Sequence, residues 1–223
     1  VTLPQTVRHY VRDSVLKGKV QGVAVKIKGD LLQLPFANPK EGEFRFSGKA
    51  KDIQYAYVPP STSTTRSATP EPLWPVMNNV NGDIVFDRLN FKVNGASGKW
   101  GNMPFTQIKA EIPSLKGPVI VNVQGESDAS ANLVLNELRL SPVNNLLSGA
   151  LAQASSTGTL TTRLKMSLPL ADLEKTSLQG SVALSGNDIR MQSELPVIEK
   201  AQGTIQFTEA GFNLTGINAQ FLG

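Results

Sequence analysis

Gly82-Asp83-Ile84-Val85-Phe86 and Phe91-Lys92-Val93-Asn94-Gly95 place apolar residues at every second position. The same spacing returns as Gly203-Thr204-Ile205-Gln206-Phe207 and Phe212-Asn213-Leu214-Thr215-Gly216. Each matched pair is 121 positions apart (203 − 82 = 216 − 95 = 121), and Trp100 and Phe221 extend the match at that offset. Four of the nine Phe match another Phe at this offset, so chance is a poor explanation. Period-two alternation predicts strands with one apolar and one wet face, which favours antiparallel meanders. A unit that recurs and cannot close a core alone builds elongated arrays. The functional question therefore moves from a pocket to a long surface.

Upstream, Gly42-Glu43-Phe44-Arg45-Phe46-Ser47-Gly48 corresponds to Gly180-Ser181-Val182-Ala183-Leu184-Ser185-Gly186 at an offset of 138. Asp52-Ile53 then matches Asp188-Ile189. The offsets differ because the first copy carries a Pro/Ser/Thr-rich insertion at 59–72. With almost no apolar content, that stretch cannot offset its ordering entropy and is expected to be a mobile loop. The chain divides into two repeats: 1–125, and 126–223 truncated at its C-terminal end. Each opens on a predicted short helix. One carries Val7, Tyr10, Val11 and Val15; the other carries Val143, Leu146, Leu147, Ala150, Leu151 and Ala154, with Ser141 as cap and Pro142 in the first turn. Predicted strands carry Val23/Val25/Ile27, Phe44/Phe46, Ile84/Phe86, Phe91/Val93, Val119/Val121/Val123, Leu133/Leu135 and Leu164/Met166/Leu168. Asn81-Gly82, Asn94-Gly95, Ser97-Gly98 and Gly186-Asn187 read as turns.

The bulk numbers narrow the function classes. The 223 residues are 40% hydrophobic and 18% charged, with a formal net charge of +4. The 22 Lys and Arg are scattered, with no basic stripe interleaved with aromatics, so nucleic acid is not an expected partner. Without Cys there is no disulfide scaffold and no thiolate metal site. No apolar run approaches the ~20 residues that cross a bilayer. The chain starts at Val1 and stops in mid-pattern at Gly223, so it reads as a piece of something longer. His9, the one histidine, lies on the first predicted helix without a nucleophile motif to serve. The carboxylate pairs Asp83/Asp87, Glu126/Asp128 and Asp188/Glu194 sit beside predicted turns, where Asp bonds local backbone. No catalytic residue, metal ligand or cofactor is expected.

Two short helices cannot cover so many strands. The sheet either closes into a sandwich or curls into an open gutter, whose apolar floor would mark a binding site.

A longer order of short motifs bears on that choice. Leu3-Pro4, a helix, Gly18-Lys19-Val20, Val25 to Leu31 and Leu34-Pro35-Phe36 are followed by Gly42 to Phe46, Asp52-Ile53-Gln54-Tyr55, Trp74-Pro75, Val80 to Phe86 and Leu89 to Val93. In this order the chain resembles the YhdP family, AsmA-like envelope proteins of Gram-negative bacteria related to TamB. The second copy departs from it, with Leu168-Pro169-Leu170 for Leu-Pro-Phe and no Trp-Pro. The resemblance implies a strongly curved, repetitive antiparallel β gutter, apolar inside, with a few short helices. It implies a periplasmic segment of an inner-membrane-anchored bridge carrying phospholipid between inner and outer membranes, contacting both through parts of the protein outside this chain. The expected groove lining is Val25, Ile27, Phe44, Phe46, Ile84, Phe86, Phe91, Val93, Ile205, Phe207, Phe212 and Leu214, meeting phospholipid acyl chains. The alternatives are a closed β-sandwich interaction module and a glycan-binding or glycan-acting domain built on Trp74, Trp100 and paired acids.

Overall fold

A computed structural model describes residues 5–59, 74–172 and 175–221. Alternating residues build ten long strands: β1 (Val15–Gly29), β2 (Gly42–Tyr55), β3 (Met77–Asp87), β4 (Asn90–Trp100), β5 (Met103–Ile112), β6 (Ile120–Ser130), β8 (Thr159–Pro169), β9 (Ser177–Arg190), β10 (Ile198–Thr208) and β11 (Gly211–Phe221). They hydrogen-bond in chain order as one antiparallel sheet, and a two-residue strand β7 (Ser155–Ser156) pairs with β9. The sheet does not close: β1 and β11 are its two edges. Nine steps at ~4.8 Å give a gutter about 43 Å long across the strands. Three helices accompany it: α1 (Gln5–Ser14), α2 (Ala131–Arg139) and α3 (Val143–Leu146). The expected loop 59–72 lies outside the described residues apart from Pro59.

The expected turns at Asn81-Gly82, Asn94-Gly95, Ser97-Gly98 and Gly186-Asn187 lie inside β3, β4, β4 and β9. These strands are bulged. Gly22, Asp52, Asn79, Gly95, Gln107, Gly186, Lys200 and Gly216 have φ between +51° and +90°, and each lies at or beside a register shift within its strand. A bulge bends its strand and tightens the twist. Bulges in the middle of eight strands curl the sheet across the strand direction, and Asn and Gly are there because a positive φ suits them. The true reversals are shorter, such as Asp87 to Asn90 and Thr208 to Gly211.

The repeat survives at the level of register. Ile84 pairs with Val93 and Phe86 with Phe91; 121 residues on, Ile205 pairs with Leu214 and Phe207 with Phe212. The preceding strand obeys a different offset. Phe86 pairs with Phe46, whereas Phe207 pairs with Gly180, which fixes 134 (180 − 46) in place of 138. Asp52 therefore corresponds to Gly186, both at positive φ, and not to Asp188. The slip is an even number, so it leaves every side chain on the predicted face. Strand β6 runs through residues 125 and 126, and the sheet is continuous there.

Two element assignments change. Leu133 and Leu135 belong to α2, not to a strand. Ser130 Oγ accepts from the Leu133 amide at 3.3 Å as an N-cap, and Ala131, Val134 and Glu137 face inward. Leucines two apart on one helix imitate the alternation of a strand. The helix expected over 143–154 stops after one turn as α3, because Ser148 and Gly149 take positive φ (51° and 72°). The Arg139 guanidinium ties the segment after α3 to α2 by donating to the carbonyls of Leu151, at 2.8 Å, and Ala154.

α2 covers one stretch of the apolar face. Ala131 and Val134 join Ala96, Met103, Phe105, Ile108, Ala129, Leu160, Leu184 and Ala201 in one buried cluster. At the opposite strand ends the β5–β6 connection folds back, and Leu115 and Val119 pack with Phe86, Leu89, Ile112 and Leu170.

Candidate functional site

Register places all twelve candidate lining residues on one face. Ile27 pairs with Phe44, Val25 with Phe46, Phe46 with Phe86, and Phe86 with Phe91, which pairs in turn with Ile112 of β5. Val93 pairs with Ala110, and the row continues through Val123, Met166 and Leu178. Gly180 and Val182 of β9 then face Phe207 and Ile205, which meet Phe212 and Leu214. The stripe crosses all ten long strands without a charged side chain. Its central members, from Ile112 to Val182, lie outside the expected lining. Strand β5 is hard to read in the sequence, because the bulge at Gln107 (φ 52°) breaks its alternation. The other central residues carry the right pattern, and of these Gly180 and Val182 fall within the upstream repeat match.

None of the twelve is buried. Val25, Ile27, Phe212 and Leu214 are 57%, 46%, 71% and 53% exposed, and the other eight are half-buried. The stripe is thus a floor that adjoins the buried clusters: Val93 and Ile205 pack against the edge of the α2-covered core and Phe86 against Leu115 and Val119, while its outer strands stay exposed. The Phe44 and Phe86 rings meet edge to face at 5.6 Å. Gly180 is required opposite Phe207: an added Cβ would lie 2.9 Å from the ring's Cε1 and 2.6 Å from the Arg163 carbonyl.

The other face is polar. Cross-strand ion pairs join Lys26 to Glu43 (2.9 Å), Arg45 to Asp87 (3.2 Å), Lys92 to Glu111 (3.2 Å) and Arg163 to Glu126 (3.1 Å). The Glu111 carboxyl is held below its ordinary range by hydrogen bonds, first from Asn90 and then from Lys92. Two clefts open on this face. One of about 400 Å³ is lined by Arg45, Val85, Asp87, Arg88, Asn90, Lys92 and Asn94. The other, about 630 Å³, runs from Lys92 and Lys109 across to Gln179 and Glu209.

At one rim an aromatic cluster anchors α1. The Tyr10 hydroxyl donates to the Tyr57 carbonyl at 2.9 Å and lies 2.7 Å from the Tyr55 hydroxyl. The Trp100 indole N–H donates to the Tyr57 hydroxyl at 3.1 Å, and Trp74 packs edge-on to Tyr57 at 6.0 Å. Burial pushes all three tyrosine hydroxyls above their ordinary range, Tyr55 and Tyr57 well above it. Trp74 and Trp100 therefore flank a tyrosine, half-buried, and do not form an open platform beside paired acids. The acids have local duties: Asp87 is shared by Arg45 and Arg88, Asp128 accepts from Thr161 at 2.5 Å, and Asp188 accepts from the Lys200 amide at 2.9 Å. His9 lies exposed on α1.

An open, ten-strand apolar gutter with short helices is the architecture that the sequence resemblance implies. The family model for the YhdP protein matches residues 1–223, the whole chain. The chain belongs to the YhdP family. No curated protein and no solved structure matches it. Membership places this YhdP-family chain among the AsmA-like proteins of the Gram-negative envelope. Among its described residues no helix is long and apolar enough to cross a membrane.

Proposed function

We propose that this YhdP-family chain is a segment of a non-catalytic bridge that carries phospholipid across the periplasm between the inner and outer membranes. The observation that carries the reading is the continuous half-open stripe: twelve apolar residues on one face, none of them buried, in a sheet with two unpaired edges. Acyl chains lie on this floor and the head groups project from its open side. Each fully buried CH₂ is worth ~0.8 kcal/mol. A floor that stays half-open recovers only part of that per position, which keeps successive sites shallow and nearly equal, as movement along the stripe needs. The closed-sandwich alternative requires the apolar face to be buried against a second sheet layer, whereas none of the twelve residues is buried.

The experiment is site-specific crosslinking in the native protein. A photoreactive side chain at 86, 91, 207 or 214 is expected to capture phospholipid. The same group at 206 or 213, on the polar face of the same strands, is expected to capture none. Equal capture on both faces, or none on either, would sink the reading.

A further inference from the structure

The reversal between β3 and β4 carries a cation that neither the sheet nor the core uses fully. Arg88 sits there at φ +52°, and its amide donates to the Phe44 carbonyl at 2.9 Å. Its Nη1 donates to Asp87 Oδ1 at 3.1 Å. Its side chain is only 29% exposed, and its Nε is buried with no hydrogen-bond partner among the described residues. An unmet buried donor costs ~1–3 kcal/mol, more when charged. The same side chain lines the cleft of about 400 Å³ with Arg45, Lys92, Asn90 and Asn94. Two carboxylates make the direct ion pairs of these three cations, and Glu43, paired with Lys26, lies within electrostatic reach of Arg88. Asp87 is divided between Arg45 and Arg88, while Glu111 is taken by Lys92 and by Asn90 Nδ2 at 2.8 Å.

The second copy provides a comparison within the chain. At 121 residues on, Arg88, Asp87 and Lys92 become Glu209, Thr208 and Asn213. At the 134 offset Arg45 becomes Gln179. Glu209 there bonds the Leu178 amide at 2.9 Å. The same hairpin register thus forms with no cation at its lip, so the Arg/Arg/Lys set answers to something other than folding. Guanidinium forks match phosphate oxygens. Phe86 and Phe91, on the apolar floor, flank the same reversal, so the cleft on the opposite face is reached from the floor around the end of the β3–β4 hairpin.

We propose that Arg45, Arg88 and Lys92 form a phosphate-binding subsite at the lip of the gutter. The site itself stands on the cleft and its charges; its assignment to a lipid head group rests on the transport reading. The test titrates the full-length native protein with three probes: dihexanoyl phosphatidate, dihexanoylglycerol with the same tails but no phosphate, and orthophosphate. Phosphatidate is expected to bind at least tenfold more tightly than dihexanoylglycerol. Arg88→Gln should erase that difference and leave dihexanoylglycerol binding unchanged, while Glu209→Gln changes neither. If Arg88→Gln lowers the melting temperature, Arg45→Gln provides the same comparison. Arg88-dependent binding of orthophosphate with no binding of dihexanoylglycerol supports the subsite with free phosphate as its source, and removes the lipid reading. Equal affinity for phosphatidate and dihexanoylglycerol in the parent, or a difference that survives both substitutions, overturns the subsite and leaves the floor untouched.

Discussion

Phe86 and Phe105 stand on the same face of one sheet, yet their surroundings give them opposite sensitivities. Phe105 is 8% exposed in the cluster under α2, whereas Phe86 is half-buried on the open floor. Phe105→Asp buries an unpaired charge and is expected to unfold the protein. Phe86→Asp or Ile84→Asp leaves the carboxylate within reach of water when lipid is absent. Those variants are expected to melt cooperatively within several degrees of the parent while losing lipid capture. Thermal melts beside lipid extraction check both halves, and an unfolded Phe86→Asp would return the floor to the core. The tyrosines add a pH dependence. Burial raises Tyr10, Tyr55 and Tyr57 in the folded state, so above pH ~10 the unfolded chain loses tyrosine protons that the folded chain keeps. Stability from these groups is complete below that pH and falls as pH rises toward their folded values. Melting temperature is expected to hold to about pH 9.5 and then drop, and Tyr55→Phe should flatten the drop.

At the scale of the strand and helix, the bulge explains both what is legible in the sequence and what is hidden there. Period-two alternation marks most of the long strands from short apolar runs or repeat matches, and the 121-residue repeat carries the β3–β4 and β10–β11 registers. The same cues mislead wherever a strand bends. Asn-Gly reads as a hairpin turn when its neighbours are unknown, but inside a long curled strand it supplies one left-handed residue. Gln107 and Lys200 take that conformation with no Gly or Asn to advertise it, which is why β5 is hidden. α2 imitates a strand because Leu133 and Leu135 stand two apart in it. The bulges can be tested without disturbing packing. Gly95 and Gly216 have φ of +57° and +61°, and an added Cβ at either meets nothing within 4 Å. Gly95→Ala and Gly216→Ala should therefore report backbone strain alone, about 1–2 kcal/mol each in urea unfolding. Ser130→Ala, which removes the α2 cap, is expected to cost about 1 kcal/mol on the same measure. A Gly216→Ala variant as stable as the parent would remove the bulge from the account of curvature.

Across the whole molecule the question is whether the floor is one conduit or a set of separate sites, and the repeat offers a way to ask it. Ile84 and Ile205 occupy matched positions 121 residues apart, one on β3 and one on β10, with β4, β5, β6, β8 and β9 between them. Separate binding sites act in parallel: removing one of two halves the signal, and removing both abolishes it. Sites along a single track act in series, so an obstruction at either place stops flow for both. Ile84→Asp and Ile205→Asp are accordingly each expected to abolish transfer of fluorescent phospholipid between donor and acceptor vesicles by the full-length protein. The double variant should be no worse than either single one. Equilibrium lipid content should behave differently, falling in part with each substitution and further with both, because the undisturbed strands still hold tails. A charge at Thr204 or Gln206, which neighbour Ile205 on the polar face, should leave transfer unchanged. Transfer that falls by half for each single substitution would mean two independent sites on one sheet, and the track would have to be given up while the lipid-binding floor remained.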